Sequence, residues 1–225
     1  MNQARTSRGP GRPSRSENRD TRGQILLSAE KLFAQTGFTA TSLRQIAVDA
    51  NVDLATIKYH FGEKNHLYDE AFRIGHSKMV EHFSPLMVAI AAAENHDDLR
   101  DALTRVAQQI TRFLANERNF VRLALFRILE RADDMESITN RLQGELVELL
   151  AIGFERAKTS SIGRDLDIRA FVTFIISGLP MWLVAAESRQ DMLGTPGLED
   201  PEWDDRVENF VRDLLLRQML SQFDE

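Results

Sequence analysis

Between Ser42 and Gly62 the sequence SLRQIAVDANVDLATIKYHFG has room for two very short helices and a tight turn. Gln45 follows Ser42 by three residues, the reciprocal capping pattern that starts a helix. Leu43, Ile46, Ala47 and Ala50 then recur at helical spacing, so one face of that helix is apolar. Asn51 tolerates the left-handed backbone of a turn, Val52 can plug the turn into a core, and Asp53 is a good cap for the next start. Leu54, Ile57 and Phe61 point one way on the second helix, and Gly62 ends it. Neither helix buries its apolar stripe alone. Ile25, Leu26, Ala29, Leu32 and Phe33 form a longer helix upstream, with Gly37 as its natural stop. Three such helices share a small core of Leu32, Phe33, Phe38, Ile46, Ala47, Val52, Ile57 and Phe61 and make a helix-turn-helix by pattern.

The residues left outside that core point to function. A solvated helix face is usually rich in Glu, Lys and Gln, whereas this one offers Ala55, Thr56, Lys58, Tyr59 and His60. Small, hydroxylic, basic and aromatic side chains can approach base edges and phosphates without repulsion. Charge supports this reading. The whole chain carries a net charge of −6, but residues 1–75 carry 11 Lys/Arg against 8 Asp/Glu, and the remainder is acidic. A basic front on an acidic body suits contact with phosphate at one end. A solubilising tail is the plainer explanation of the basic residues.

The rest of the 225-residue chain reads as helix, near 64–83, 84–94, 97–115, 118–131, 136–158, 165–187 and 203–222, with breaks at Pro85, Asn95, Asn116 and Gly163. Residues 188–202 form a turn-rich connection. No run shows the alternation of a sheet. The expected fold is all-α: residues 1–19 a disordered basic arm, 20–65 a DNA-binding domain with a helix from 64 linking onward, and 66–225 an effector-binding and dimerisation domain.

The stretch TRGQILLSAEKLFAQTGFTATSLRQIAVDANVDLATIKYHFGEKNHLYDEAF, Thr21 to Phe72, resembles the N-terminal domain of the TetR family of bacterial transcriptional regulators. The matching pieces are ordered and spaced alike: the LF…GF of the first helix end, TSLRQIA, the V-D before the recognition helix, YHF, and a Lys three residues after Phe61. The resemblance implies DNA contacts from Thr41, Ser42 and Arg44 at the start of the second helix, and from Ala55, Thr56, Lys58, Tyr59 and His60 on the third. Lys64 would open the fourth helix and grip a phosphate beside the helix amides. Two positions depart from the pattern: Asn51 stands where the turn usually has Gly, and Lys58 where Tyr is common, which moves a contact from stacking to charge. In the arm, Gly11-Arg12-Pro13 resembles a minor-groove hook, against the plainer role of phosphate attraction for Arg12.

Behind this domain, Phe113, Phe120, Phe126, Phe154, Phe174 and Met181 supply bulk that suits an apolar effector pocket, ordinary core being the alternative for each. Pro180 would kink its helix, and Arg122 and Arg127 could meet an anionic ligand or lie on the surface. Val207, Phe210, Val211 and Leu214 form a stripe that can pair with a second copy as part of a four-helix bundle. The family resemblance favours a homodimer that reads a palindromic operator in double-stranded DNA through half-sites roughly 34–36 Å apart. A small-molecule effector would release it, making the chain a ligand-responsive repressor.

Other classes fit poorly. There is no GxSxG, HExxH or glycine-rich phosphate loop, so the chain is not expected to be an enzyme and no cofactor is implied. Absence of Cys removes disulfides and thiolate metal sites, and the spacing of His76 and His82 does not match metal ligands on one helix face. The longest apolar stretch, Phe171 to Ala186, is too short and interrupted to span a bilayer, and no export signal appears, so a cytoplasmic location is expected. The rival reading is a helical protein-interaction module without DNA binding.

Overall fold

The computed structural model describes residues 15–130, 144, 148, 151–152, 154–155, 166–188 and 203–220. Among them are eight helices: α1 (Arg15–Ala40), α2 (Leu43–Asp49), α3 (Leu54–Phe61), α4 (Lys64–Ala91), α5 (His96–Asn116), α6 (Arg118–Leu129), α7 (Ile168–Ser188) and α8 (Trp203–Met219). Helix α1 starts at Arg15, inside the stretch expected to be an arm, and Gly37 interrupts it with φ 77 and ψ 179. Arg12 and Gly163, and most of the helix expected at 136–158, lie outside the described residues.

Ser42 and Gln45 form both halves of the capping box at the start of α2. Asn51 takes φ 53, and Val52 donates its amide to the Ala47 carbonyl at 2.9 Å, which closes the turn. Asp53 accepts the Thr56 amide at 2.6 Å and so caps α3. Ile25, Phe33, Ile46, Ala47, Ile57 and Phe61 are buried between the three helices.

The break expected at Pro85 does not occur. Helix α4 runs through it. Proline leaves the carbonyl four residues earlier without a partner. Here that residue, Glu81, is exposed along with Pro85 itself, so water can satisfy the group. The Ser84 hydroxyl also donates to the Val80 carbonyl at 2.7 Å. Helix α7 likewise continues through Pro180.

One apolar cluster runs from the three-helix head into the second domain. Two devices set the crossing of α4 and α6. Gly75 is buried, and a methyl group there would collide with the Phe120 ring. Arg127 of α6 has a fully buried side chain, sits over the rings of Tyr68 and Phe72 at 4.9 and 4.6 Å, and pairs with Asp69 at 2.9 Å. This corrects the expectation of a ligand contact or a surface position for Arg127: its charge is spent inside the protein, because a buried guanidinium needs a carboxylate partner.

Candidate functional site

Helix α3 carries its core residues Ile57 and Phe61 inward, which fixes what faces out. Ala55, Lys58 and Tyr59 are exposed, Tyr59 to 76%, a large fraction for an aromatic with no solvent role of its own. Thr56 and His60 are half-buried, His60 packed edge-on against Tyr59 at 5.2 Å. A surface concavity is lined by Thr21, Val52, Asp53, Ala55, Thr56, Tyr59 and His60. Sequence reasoning did not single out Thr21. Its signal is a hydroxyl four residues ahead of the core residue Ile25, one turn nearer the helix start and on the same side. The Thr56 hydroxyl and amide hold the Asp53 carboxyl below the usual aspartate range.

The start of α2 divides into exposed and internal positions. Ser42 and Arg44 are exposed. Thr41 is not: it is 2% exposed, its hydroxyl donates to the Gly37 carbonyl at 2.7 Å, and it lies 2.9 Å from the Thr36 hydroxyl. Its position between two helices turns the side chain inward, so the expected DNA contact is corrected to a structural role. Lys64 is also diverted. Its ammonium donates to the Thr41 carbonyl at 2.7 Å and lies 4.2 Å from the centre of the Phe38 ring. Burial draws that ammonium below the usual lysine range, an effect the Glu130 carboxylate opposes. With its charge facing the protein, Lys64 braces the corner rather than reaching outward as expected.

A second site lies between α4, α5, α6 and α7, a cavity of about 140 Å³. Phe113, Phe120 and Phe154 line it as expected, joined by Phe72, Phe83 and Phe171, and His76 is the polar side chain among the described lining. The other three expected residues do not line it. Phe126 faces Gly37 of α1, where a methyl group would come within 3.0 Å of its ring. Phe174 and Met181 are 60% and 45% exposed. They are seven residues apart, two helical turns, so they share the outer face of α7 while Val172 and Leu179 face in. Arg122 does not line the cavity, but Pro180 does.

The stripe on α8 splits. Val207 and Val211 are 3% and 0% exposed and belong to the core of the chain itself, a correction to their expected interface role. Leu214 is half-buried. Phe210 is 55% exposed and packs against Trp182 of α7 at 5.7 Å, so α7 and α8 share an outward apolar face.

Residues 25–71 match the family model for bacterial regulatory proteins of the tetR family. The HTH-type transcriptional regulator AcrR of Shigella flexneri is 37% identical over 70 residues, 31% of this chain and 33% of AcrR. The N-terminal segment of the chain is thus similar to the DNA-binding region of TetR-family regulators. Another TetR-family relative, the HTH-type transcriptional repressor BepR of Brucella suis biovar 1, is 26% identical over 145 residues, 63% of this chain and 66% of BepR. The match to these relatives thus spans one third of the first and just under two thirds of the second. The solved structure of AibR in complex with isovaleryl coenzyme A and operator DNA superposes with a TM-score of 0.65 at 14% identity, covering 88% of this chain and 99% of AibR, a likeness of fold. Among the described residues, no helix is long and apolar enough to cross a membrane.

Proposed function

We propose that this chain is a sequence-specific, DNA-binding transcriptional repressor, acting in the cytoplasm as a homodimer on a palindromic operator and released by a small apolar effector. The observation that carries the reading is the outward face of α3: Ala55, Lys58 and Tyr59 stand exposed on a helix whose opposite side is locked into a three-helix core. Ser42, Arg44, Thr56, His60 and Thr21 flank that face. A helix so mounted can enter a major groove, with the start of the preceding helix on the phosphates. The AcrR and BepR names, transcriptional regulator and transcriptional repressor, support the same role.

The cavity supports an effector. The cavity is apolar and partly open, and its volume of about 140 Å³ is close to that which takes up a benzene-sized molecule in an engineered protein core. The solved relative AibR holds both isovaleryl coenzyme A and operator DNA, so the fold accommodates both kinds of partner. Phe174, Met181 and Phe210 support the homodimer, because an outward apolar face on two long helices is the half of a four-helix bundle that a second copy completes.

Selection of bound duplexes from a random pool tests the function. The expected product is a palindrome whose half-site centres lie about one helical turn apart. Affinity should fall linearly with salt on logarithmic scales. A pool that yields no enriched sequence, with binding absent even at low salt, overturns the proposal in favour of a helical protein-interaction module.

A further inference from the structure

Helix α6 is tied to α4 at its start and to the end of α1 just past its last residue, and it walls the cavity in between. At its start Glu117 accepts two hydrogen bonds from the Lys78 ammonium of α4, at 2.9 and 3.1 Å. In its middle Phe120, Val121, Ala124, Leu125 and Ile128 line the cavity. At its end, two residues past Ile128, the Glu130 carboxylate accepts the Phe38 amide at 2.8 Å and lies 3.5 Å from the Thr39 amide. The absence of a side chain at Gly37 makes room for it, since a methyl group there would collide with a Glu130 carboxylate oxygen.

The corner that Glu130 holds leads directly to the DNA-reading helices. The Thr41 hydroxyl donates to the Gly37 carbonyl at 2.7 Å, and Lys64 donates to the Thr41 carbonyl at 2.7 Å. The next residue, Ser42, is the cap of α2. A hydrogen bond to an ionised carboxylate is shorter and about twice as strong as a neutral one. It is therefore a stiff link between the last turn of the cavity wall and the chain segment that orients α2 and α3.

We propose that Glu130 is a positioning residue for regulation: it passes displacement of the α6 cavity wall to the start of α2, and without its carboxylate the cavity and the DNA-reading helices respond independently. This rests on reading the cavity as the effector site. The link is specific in direction. The Lys78–Glu117 tie joins α6 to α4, whereas Glu130 bonds the backbone at the end of α1, next to α2.

The test needs no effector. Ala124→Leu adds bulk to the cavity wall from inside, and amide hydrogen exchange over residues 38–50 of the full-length chain reads the other end. The expected result is a change of about fivefold or more in exchange of the Phe38 and Thr39 amides, the lower end of ordinary coupling between sites. In the Glu130→Ala background the same wall substitution should leave those amides where Glu130→Ala alone puts them. Glu130→Gln, whose side-chain oxygen still accepts the Phe38 amide, should keep most of the response. An equal response with and without the carboxylate overturns the proposal, as does no response in the otherwise unaltered chain. If Ala124→Leu does not fold, Val121→Leu from the same wall replaces it. Affinity for the selected duplex should move in the same order across the variants. A chain that shows the exchange coupling but binds no duplex refutes the DNA-binding function and leaves the Glu130 link standing.

Discussion

Gly37 and Asn51 both have positive φ, but they occupy different regions of backbone space. At φ 77 and ψ 179 Gly37 lies where essentially only glycine is found, whereas Asn51 at φ 53 is in the left-handed helical region that asparagine tolerates. The two substitutions should therefore diverge. Gly37→Ala should destabilise by about 1–3 kcal/mol from backbone strain alone, with a further loss from displacing Glu130. Asn51→Gly should be near neutral, which is why the departure from Gly at that turn is harmless. Urea unfolding of the two variants checks this, and an Asn51→Gly loss as large as that of Gly37→Ala would contradict the backbone argument. In the sequence Gly37 reads as a helix stop, whereas it is a kink inside α1, and its second role was invisible, because Glu130 is far away in sequence and comes to it only through the packing of α6.

The elements that were legible are those whose limits are set locally. Helices α2 and α3 follow from Ser42, Gln45, Asn51, Asp53 and Gly62, each acting on its own neighbours. The continuation of α4 through Pro85 was not legible, since it depends on Glu81 and Pro85 facing solvent, which the sequence does not state. The cap on α3 gives a pH dependence with a definite sign. The folded Asp53 carboxyl lies below its ordinary value, so its contribution is present above the unfolded aspartate range and is lost as pH falls through the folded value. Below about pH 4, the ordinary aspartate range, the first turn of α3 should begin to loosen. Asp53→Asn, which keeps a capping oxygen, should abolish that step. The Thr56 amide shift against pH in nuclear magnetic resonance reads it directly. The exposed face of the same helix gives a separate expectation: Lys58→Ala and Tyr59→Ala should weaken binding to the selected duplex while leaving the thermal midpoint within about a degree, since neither side chain is buried. If Lys58 meets phosphate, its loss should also reduce the salt slope by about one. Unchanged affinity in both variants would remove the proposed reading face.

At the scale of the whole molecule, the apolar stripes carry an ambiguity that periodicity cannot resolve. A stripe shows that a helix face is covered, not whether its own chain or a second copy covers it. On α8 the answer is both: Val207 and Val211 turn into the core, and Phe210, one position before Val211 and so about 100° away around the helix, turns out beside Trp182. The same division on α7 sends Val172 and Leu179 inward and leaves Phe174 and Met181 exposed, which is why two residues expected in the cavity lie on the surface instead. Exposed phenylalanine at 60% and 55% on neighbouring helices is apolar area that a monomer would leave in water. Phe210→Glu places a charge at the centre of that face without touching the internal core. In a symmetric pair each such substitution appears twice, so two carboxylates would be buried in the contact. Sedimentation of the wild type at micromolar concentration should give the dimer mass, and Phe210→Glu should give the monomer with its helical content retained. Val211→Glu, by contrast, should unfold the second domain, because that side chain is 0% exposed within its own chain. A Phe210→Glu protein that keeps the wild-type mass would place the contact between copies elsewhere, and the spacing of the two reading helices would then have to be set by another surface.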